Sequence, residues 1–189
     1  MLIKVPQGQD IEYAGEGTLK EIFVELDKGL LKKYIAARAE GEHVDFHTRL
    51  RSDAEVELIP WDAEEAAWIY RHSMSHVLAQ AVVRLFPEAQ LAIGPAIEDG
   101  FYYDFDVEEP FTPEDLKNIE KEMKRIIKQN HKFERVEVSR EQALEKIGDA
   151  TYKNELLADL AEDQTLSFYQ DGEFVDLCRG PHMLGTGQV

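Results

Sequence analysis

Apolar and polar positions along this chain change period several times, and each change marks an expected element. The first residues alternate, with Ile3 and Val5 on one face and Leu2 and Lys4 on the other, which predicts a strand over Met1–Pro6. Gln7-Gly8-Gln9 reads as a turn and Ile11–Tyr13 as the returning strand. Leu19, Ile22, Phe23 and Leu26 then recur at helical spacing behind Thr18, and Glu21 completes a capping-box start. Ile35–Ala39 and Val56–Ile59 read as strands, with a turn at Glu40-Gly41-Glu42 between them. Pro60-Trp61-Asp62 marks a joint. Beyond it a helical period runs to about Phe86, where Pro87 stops it. Asp62 is the expected cap of that helix, and Trp68, Val77, Leu78, Val82 and Leu85 its expected apolar face.

The second half repeats these signals. Leu91–Ile97 holds a short apolar strand followed by Gly94-Pro95, Glu98-Asp99-Gly100 reads as a turn and Phe101–Phe105 as an aromatic strand with alternating faces. Thr112-Pro113-Glu114-Asp115 opens a helix, with Thr at the cap and Pro at the first helical position. Phe133–Val138 is a strand, and Ser139-Arg140-Glu141-Gln142 opens another helix. Lys153 falls in what reads as a polar loop. Leu166–Tyr169, the Asp171-Gly172 turn and Phe174–Leu177 form a hairpin that ends at Cys178. This order predicts an α+β protein. A small ubiquitin-like β-grasp domain over residues 1–61 is followed by an α+β domain over 62–189, with an antiparallel sheet and a long central helix.

Composition narrows the picture. The chain has 189 residues with 43% hydrophobic content, enough for globular cores. It has no apolar run long enough to span a bilayer and no charged-then-apolar leader, so a cytoplasmic protein with no membrane partner is expected. A single cysteine excludes an intrachain disulfide. The net charge of −17 argues against tight unaided binding to a phosphate backbone. One basic stretch, Lys117 to Lys132, places Lys117, Lys121, Lys124 and Lys128 at helical spacing. A solvated helix face is the expected reading, and a phosphate-facing stripe the sharper one. Met183–Val189 carries no stop or cap, as if the chain were cut from something longer.

Two motifs carry the candidate chemistry: His72-Ser73-Met74-Ser75-His76 and Cys178-Arg179-Gly180-Pro181-His182. On a helix, positions four apart share a face, so His72 and His76 aim at one point. Gly180 and Pro181 prevent a helix in the second motif, so a loop must bring Cys178 and His182 together. Three imidazoles and a thiol suit zinc by number and softness. The same residues without metal suit acid–base work, with Cys178 a nucleophile or a shape-giving donor. Asp176 could orient a histidine or take a substrate amine, and Lys153 could hold a developing negative charge or a water. A lone buried His or Cys is ordinarily a core residue; two paired motifs together favour a site.

Ile93-Gly94-Pro95, Gly100-Phe101-Tyr102-Tyr103-Asp104, His72-x3-His76 and Asp176-Leu177-Cys178-Arg179-Gly180-Pro181-His182 together resemble the N-terminal half of bacterial-type threonyl-tRNA synthetases. The resemblance covers essentially the whole chain. It implies a TGS domain over 1–61 and an editing domain over 62–189, of the type shared by threonyl- and alanyl-tRNA synthetases. The implied activity is hydrolysis of the ester of seryl-tRNA(Thr). In that reading His72, His76, Lys153, Cys178 and His182 are catalytic, with His72 and Lys153 positioning the water. Asp176 takes the seryl amino group, Tyr103 lines the adenosine end and Arg179 also binds substrate. The threonyl type implies no metal for editing, whereas the alanyl type binds zinc. ATP and a further zinc would belong to a ligase core beyond Val189, as would the contacts of a homodimer. The implied partner is the acceptor end of tRNA(Thr) carrying serine. The competing readings are a zinc-binding RNA-interaction or regulatory module without catalysis, and an unrelated zinc hydrolase.

Overall fold

The structure is a computed structural model that describes the whole chain except Pro6, Gln7, Lys28, Asp163 and Val189. It is α+β, and its chain forms two compact units: Met1–Tyr70 with Gly180–Leu184, and Arg71–Arg179 with Gly185–Val189. The helix Glu64–Leu85 contributes to both, since the division falls between Tyr70 and Arg71. Among the described residues no helix is long and apolar enough to cross a membrane.

Among its described residues the first unit has a five-stranded sheet with the helix Leu19–Leu26 packed on it. In spatial order the strands are Ile11–Glu12, Leu2–Lys4, Ala54–Pro60, Tyr34–Ala39 and Glu42–Val44. Leu2–Lys4 and Ala54–Pro60 run parallel and the other neighbours antiparallel, which is the β-grasp pattern that the sequence order predicts. Part of the expected first strand and the Gln7-Gly8-Gln9 turn fall on Pro6 and Gln7, outside the described residues. The helix Leu19–Leu26 has the capping box expected of it: the Glu21 amide donates to Thr18 Oγ1 (3.2 Å), and the Thr18 amide donates to Glu21 Oε2 (2.7 Å). Leu19, Ile22 and Phe23 bury against Ile3, Ala37, Phe46, Val56 and Leu58. The Glu40-Gly41 turn places both residues at positive φ, 48° and 85°, where glycine is the residue that fits without strain. Met183 packs with Ile35, Ile59, Ala66 and Ile69 in the same unit, and Leu184 against the sheet core.

The long helix starts at Glu64 with Ala63 directly before it, so Asp62 lies one residue short of the capping place expected of it. Trp68 and Leu85, expected on its apolar face, are 41% and 39% exposed. From Ser73 to Val77, and again from Ala79 to Val82, every residue is buried, polar ones included, so the middle of this helix is enclosed rather than amphipathic.

The second unit is built on a three-stranded antiparallel sheet, Phe133–Val138, Leu166–Asp171 and Phe174–Leu177. Ala143, Leu157, Leu166, Phe168 and Leu177 form one core there. The helix Pro113–Gln129 has the expected Thr112 cap, which the structure completes as a capping box with Asp115, and it buries Ile119 and Ile126. The Phe101–Phe105 stretch is not one strand. Gly100–Phe101 pairs back on Ala96–Ile97, and Phe105–Asp106 pairs with Gln90–Leu91. A further correction concerns Lys153: it sits on a helix, Thr151–Asp159, not in a loop. Its inward face carries Lys153 and Leu157, so a lysine stands where an apolar residue would have marked the helical period. Ala150 offers no side-chain cap at its start, which removed the second sequence signal. The Arg140 guanidinium closes the other end, donating to the carbonyls of Leu157, Leu160 and Ala161.

Candidate active site

The site grows from a polar stripe on the long helix. His72, His76, Gln80 and Arg84 are four residues apart and therefore share one face. Toward the C-terminal end, Gln80 donates to the Asp171 carbonyl (3.0 Å), and Arg84 pairs with Glu122 (2.9 Å) and Glu173 (2.5 Å). The contacts to Asp171 and Glu173 fix the helix against the turn of the 166–177 hairpin, and the one to Glu122 ties it to the helix Pro113–Gln129. At the other end of the stripe the imidazoles meet the hairpin's outgoing strand. The His72 and His76 rings are 5.4 Å apart and nearly perpendicular. Cys178 Sγ lies 3.2 Å from His72 Nε2. Cys178 is held past the strand end because its amide donates to the Ser167 carbonyl (3.0 Å) and Ser167 Oγ donates to the Cys178 carbonyl (2.6 Å).

A second cluster meets the first. Lys153 Nζ is 2.6 Å from Asp176 Oδ1, with both side chains buried. Tyr103 Oη donates to Asp176 Oδ2 at 2.6 Å and accepts from Lys153 Nζ at 3.2 Å. His76 Nε2 is 4.0 Å from the same Asp176 oxygen. Burial pushes the His76 pKa well below the usual imidazole value, and electrostatic interaction with His72 and Lys153 pushes it the same way, so the neutral form of His76 is favoured. Burial pushes the Tyr103 phenol far up, with the Asp176 charge and hydrogen bond adding to it, so Tyr103 keeps its proton.

These groups line one cavity of about 360 Å³, the size of a small-molecule site. His72, His76, Tyr103, Lys153, Asp176, Cys178 and Arg179 all border it, so seven of the eight residues singled out by sequence are brought together. Arg179 is exposed, and its guanidinium donates to Gln164 Oε1 at 3.1 Å. The eighth, His182, is buried at 1% exposure in the 180–184 stretch that belongs with the first unit. The donor atoms of His72, His76 and Cys178 lie within 4.8 Å of one another, a set of the softness zinc accepts. Gly94 and Ser167, which line the cavity, and Ser75, which does not but donates to the Gly94 carbonyl, were not singled out from the sequence. Ser75 and Gly94 stood inside quoted motifs, but small polar residues and glycines carry no charge or period to distinguish them.

Residues 1–60 match the family described as the TGS domain. The whole chain matches the N-terminal part of threonine–tRNA ligases. It is 51% identical over 99% of its length to the threonine–tRNA ligase of Desulforamulus reducens, 48% to that of Acetivibrio thermocellus and 47% to that of Clostridium tetani. In each case it spans 30% of the relative's length. The TGS match falls on the β-grasp strands of the first unit, and the cavity lies in the second unit, outside the matched domain.

Proposed function

We propose that this chain acts on tRNA as an editing hydrolase and cleaves the ester of tRNA(Thr) mischarged with serine. The observation that carries the reading is the single cavity bordered by both clusters, the imidazole–thiol set and the Lys153–Tyr103–Asp176 set. Hydrolysis of an aminoacyl ester needs a placed water, a base for its proton and a donor for the carbonyl oxygen. His72 is the base and, with Lys153, holds the water. The water oxygen bonds to the carbonyl carbon while the imidazole takes its proton. The carbon–oxygen bond to the ribose then breaks, and the leaving ribose oxygen takes that proton, which gives serine and a free hydroxyl end. Lys153 also offsets negative charge on the carbonyl oxygen. Asp176 accepts from Lys153 and Tyr103 on its two oxygens, and the lone pairs that remain can receive the seryl ammonium. Tyr103 and Arg179 line the adenosine end, neutral His76 supports His72, and Cys178 shapes the pocket. His182 is assigned by the similarity to threonine–tRNA ligases alone. The selectivity needed is against one added methyl, which a binding pocket resolves by only ~1–3 kcal/mol, so a second, tighter pocket has a role.

One observation favours a second reading: the close set of His72, His76 and Cys178 donors. Those residues would hold zinc, which when bound acidifies a water or supports an RNA-binding module without catalysis.

The test incubates seryl- and threonyl-tRNA(Thr) side by side with the chain. Serine is expected to be released and threonine largely spared; equal rates, or no release, would refute the proposal. His72→Ala is expected to slow release by about 10²-fold or more. Chelator-treated protein is expected to keep its rate, whereas a loss restored by one equivalent of zinc would favour the second reading.

A further inference from the structure

Ser75 sits inside the His72–His76 motif, is fully buried and takes no part in the chemistry above. Its Oγ lies 2.7 Å from the Gly94 carbonyl and 2.8 Å from the His72 carbonyl. Both carbonyls accept and the hydroxyl has one proton, so it is shared between them as a three-centre bond that ties the Gly94 segment to the helix turn that carries His72. Gly94 in turn lies flat against Tyr103. A Cβ at position 94 would overlap the Cδ2 and Cε2 atoms of the Tyr103 ring. Phe105 stacks on Tyr103, with centroids 5.1 Å apart and planes 26° apart. The register is set by two backbone bonds, Asp104 amide to Ile93 carbonyl (2.8 Å) and Ala92 amide to Asp104 carbonyl (3.1 Å). Thus the phenol reaches Asp176 and Lys153 because its ring rests where position 94 has no side chain.

We infer that Ser75 and Gly94 are positioning residues of this site: together they seat the Tyr103 ring so that its hydroxyl joins Lys153 and Asp176 into one fixed cluster. The effect on rate rests on the hydrolase reading; the seating itself does not. Seating matters because small displacements of a catalytic cluster are expensive, on the order of 10²-fold in rate per ångström.

Two readouts test this on the full chain. The first is release of serine from seryl-tRNA(Thr). Gly94→Ala is expected to lower kcat by about 10²-fold with KM little changed, and Ser75→Ala to lower it in the same direction by less. On a Tyr103→Phe background neither substitution should cost anything further, because the hydroxyl they place is already gone. Full additivity, or a wild-type rate in Gly94→Ala, would overturn the inference. The second readout is acylation of the Lys153 amine by an activated acetate ester, followed by peptide mass spectrometry. Buried Lys153 should react slowly beside exposed Lys117, and about ten-fold faster in either variant. Unchanged Lys153 protection in both variants would overturn the inference. Should the wild-type chain release no serine, the hydrolase reading fails while the acylation result still decides the seating. Should Gly94→Ala fail to fold, Ser75→Ala, which adds no atoms, decides both readouts.

Discussion

Lys153 and Asp176 form an ion pair whose side chains are 9% and 4% exposed. In such a pair the cost of desolvating two charges is offset only while both partners remain, so removing one strands the other. Lys153→Met or Asp176→Leu alone is expected to destabilise the fold by about 3–5 kcal/mol, whereas the double variant recovers most of that loss and stays inactive. Chemical denaturation of the three variants checks this. Asp171 is a different case. It is 1% exposed, and neither of its carboxyl oxygens has a hydrogen-bond partner among the described residues. Burial, with Glu173 adding to it and Arg84 opposing, raises its pKa from 3.8 to about 8. Between those values the unfolded chain loses a proton that the folded chain keeps. Stability therefore falls as pH rises through this window, by up to about 1.4 kcal/mol per pH unit, and levels off above it. Asp171→Asn is expected to match wild type near pH 4 and to melt higher than wild type at pH 8. Thermal scans across pH would show parallel curves if Asp171 were already ionised in the fold.

At the scale of elements, the ion pairs of the helix Pro113–Gln129 favour the solvated reading of its lysines. Lys117 lies 3.6 Å from Glu114, Lys124 pairs with Glu120, and these side chains are 64–75% exposed. The face is solvated and locally neutralised by its own acids, and pairs of this kind contribute only tenths of a kcal/mol. A Lys117/Lys121/Lys124 triple alanine variant is expected to keep its rate of serine release within about two-fold and its stability within about 1 kcal/mol. A large loss of release would restore the phosphate stripe. The helix starts at Thr18, Thr112 and Ser139 were legible because their information is local: a capping side chain, its backbone donor and an acid or amide three residues on. The helix Thr151–Asp159 was not legible, because the residue that faces inward is charged and becomes tolerable only beside Asp176, 23 positions away in sequence.

For the whole molecule, the charge of −17 sets the terms of any contact with nucleic acid. Few phosphates can be neutralised, so affinity for an acceptor-end RNA hairpin should be weak and nearly independent of salt. The logarithmic slope should be shallower than about −2, where a protein making many phosphate contacts shows a steep one. Filter binding across ionic strength measures this, and a steep slope would mean that a basic surface is in use. Under the proposed function, stacking and hydroxyl contacts with a single-stranded end would carry the binding.

The sequence by itself determined the α+β class, the β-grasp order of the first unit, the hairpin that carries Cys178 and the face shared by His72 and His76. Each follows from short-range rules: side-chain period, cap chemistry and turn residues. Tertiary structure alone decided that Lys153, Tyr103 and Asp176 form one buried cluster, that Trp68 and Leu85 lie outward, and that Tyr103 needs a glycine beneath its ring. Those outcomes depend on which distant segments share a dielectric and a packing surface, and no local pattern encodes that.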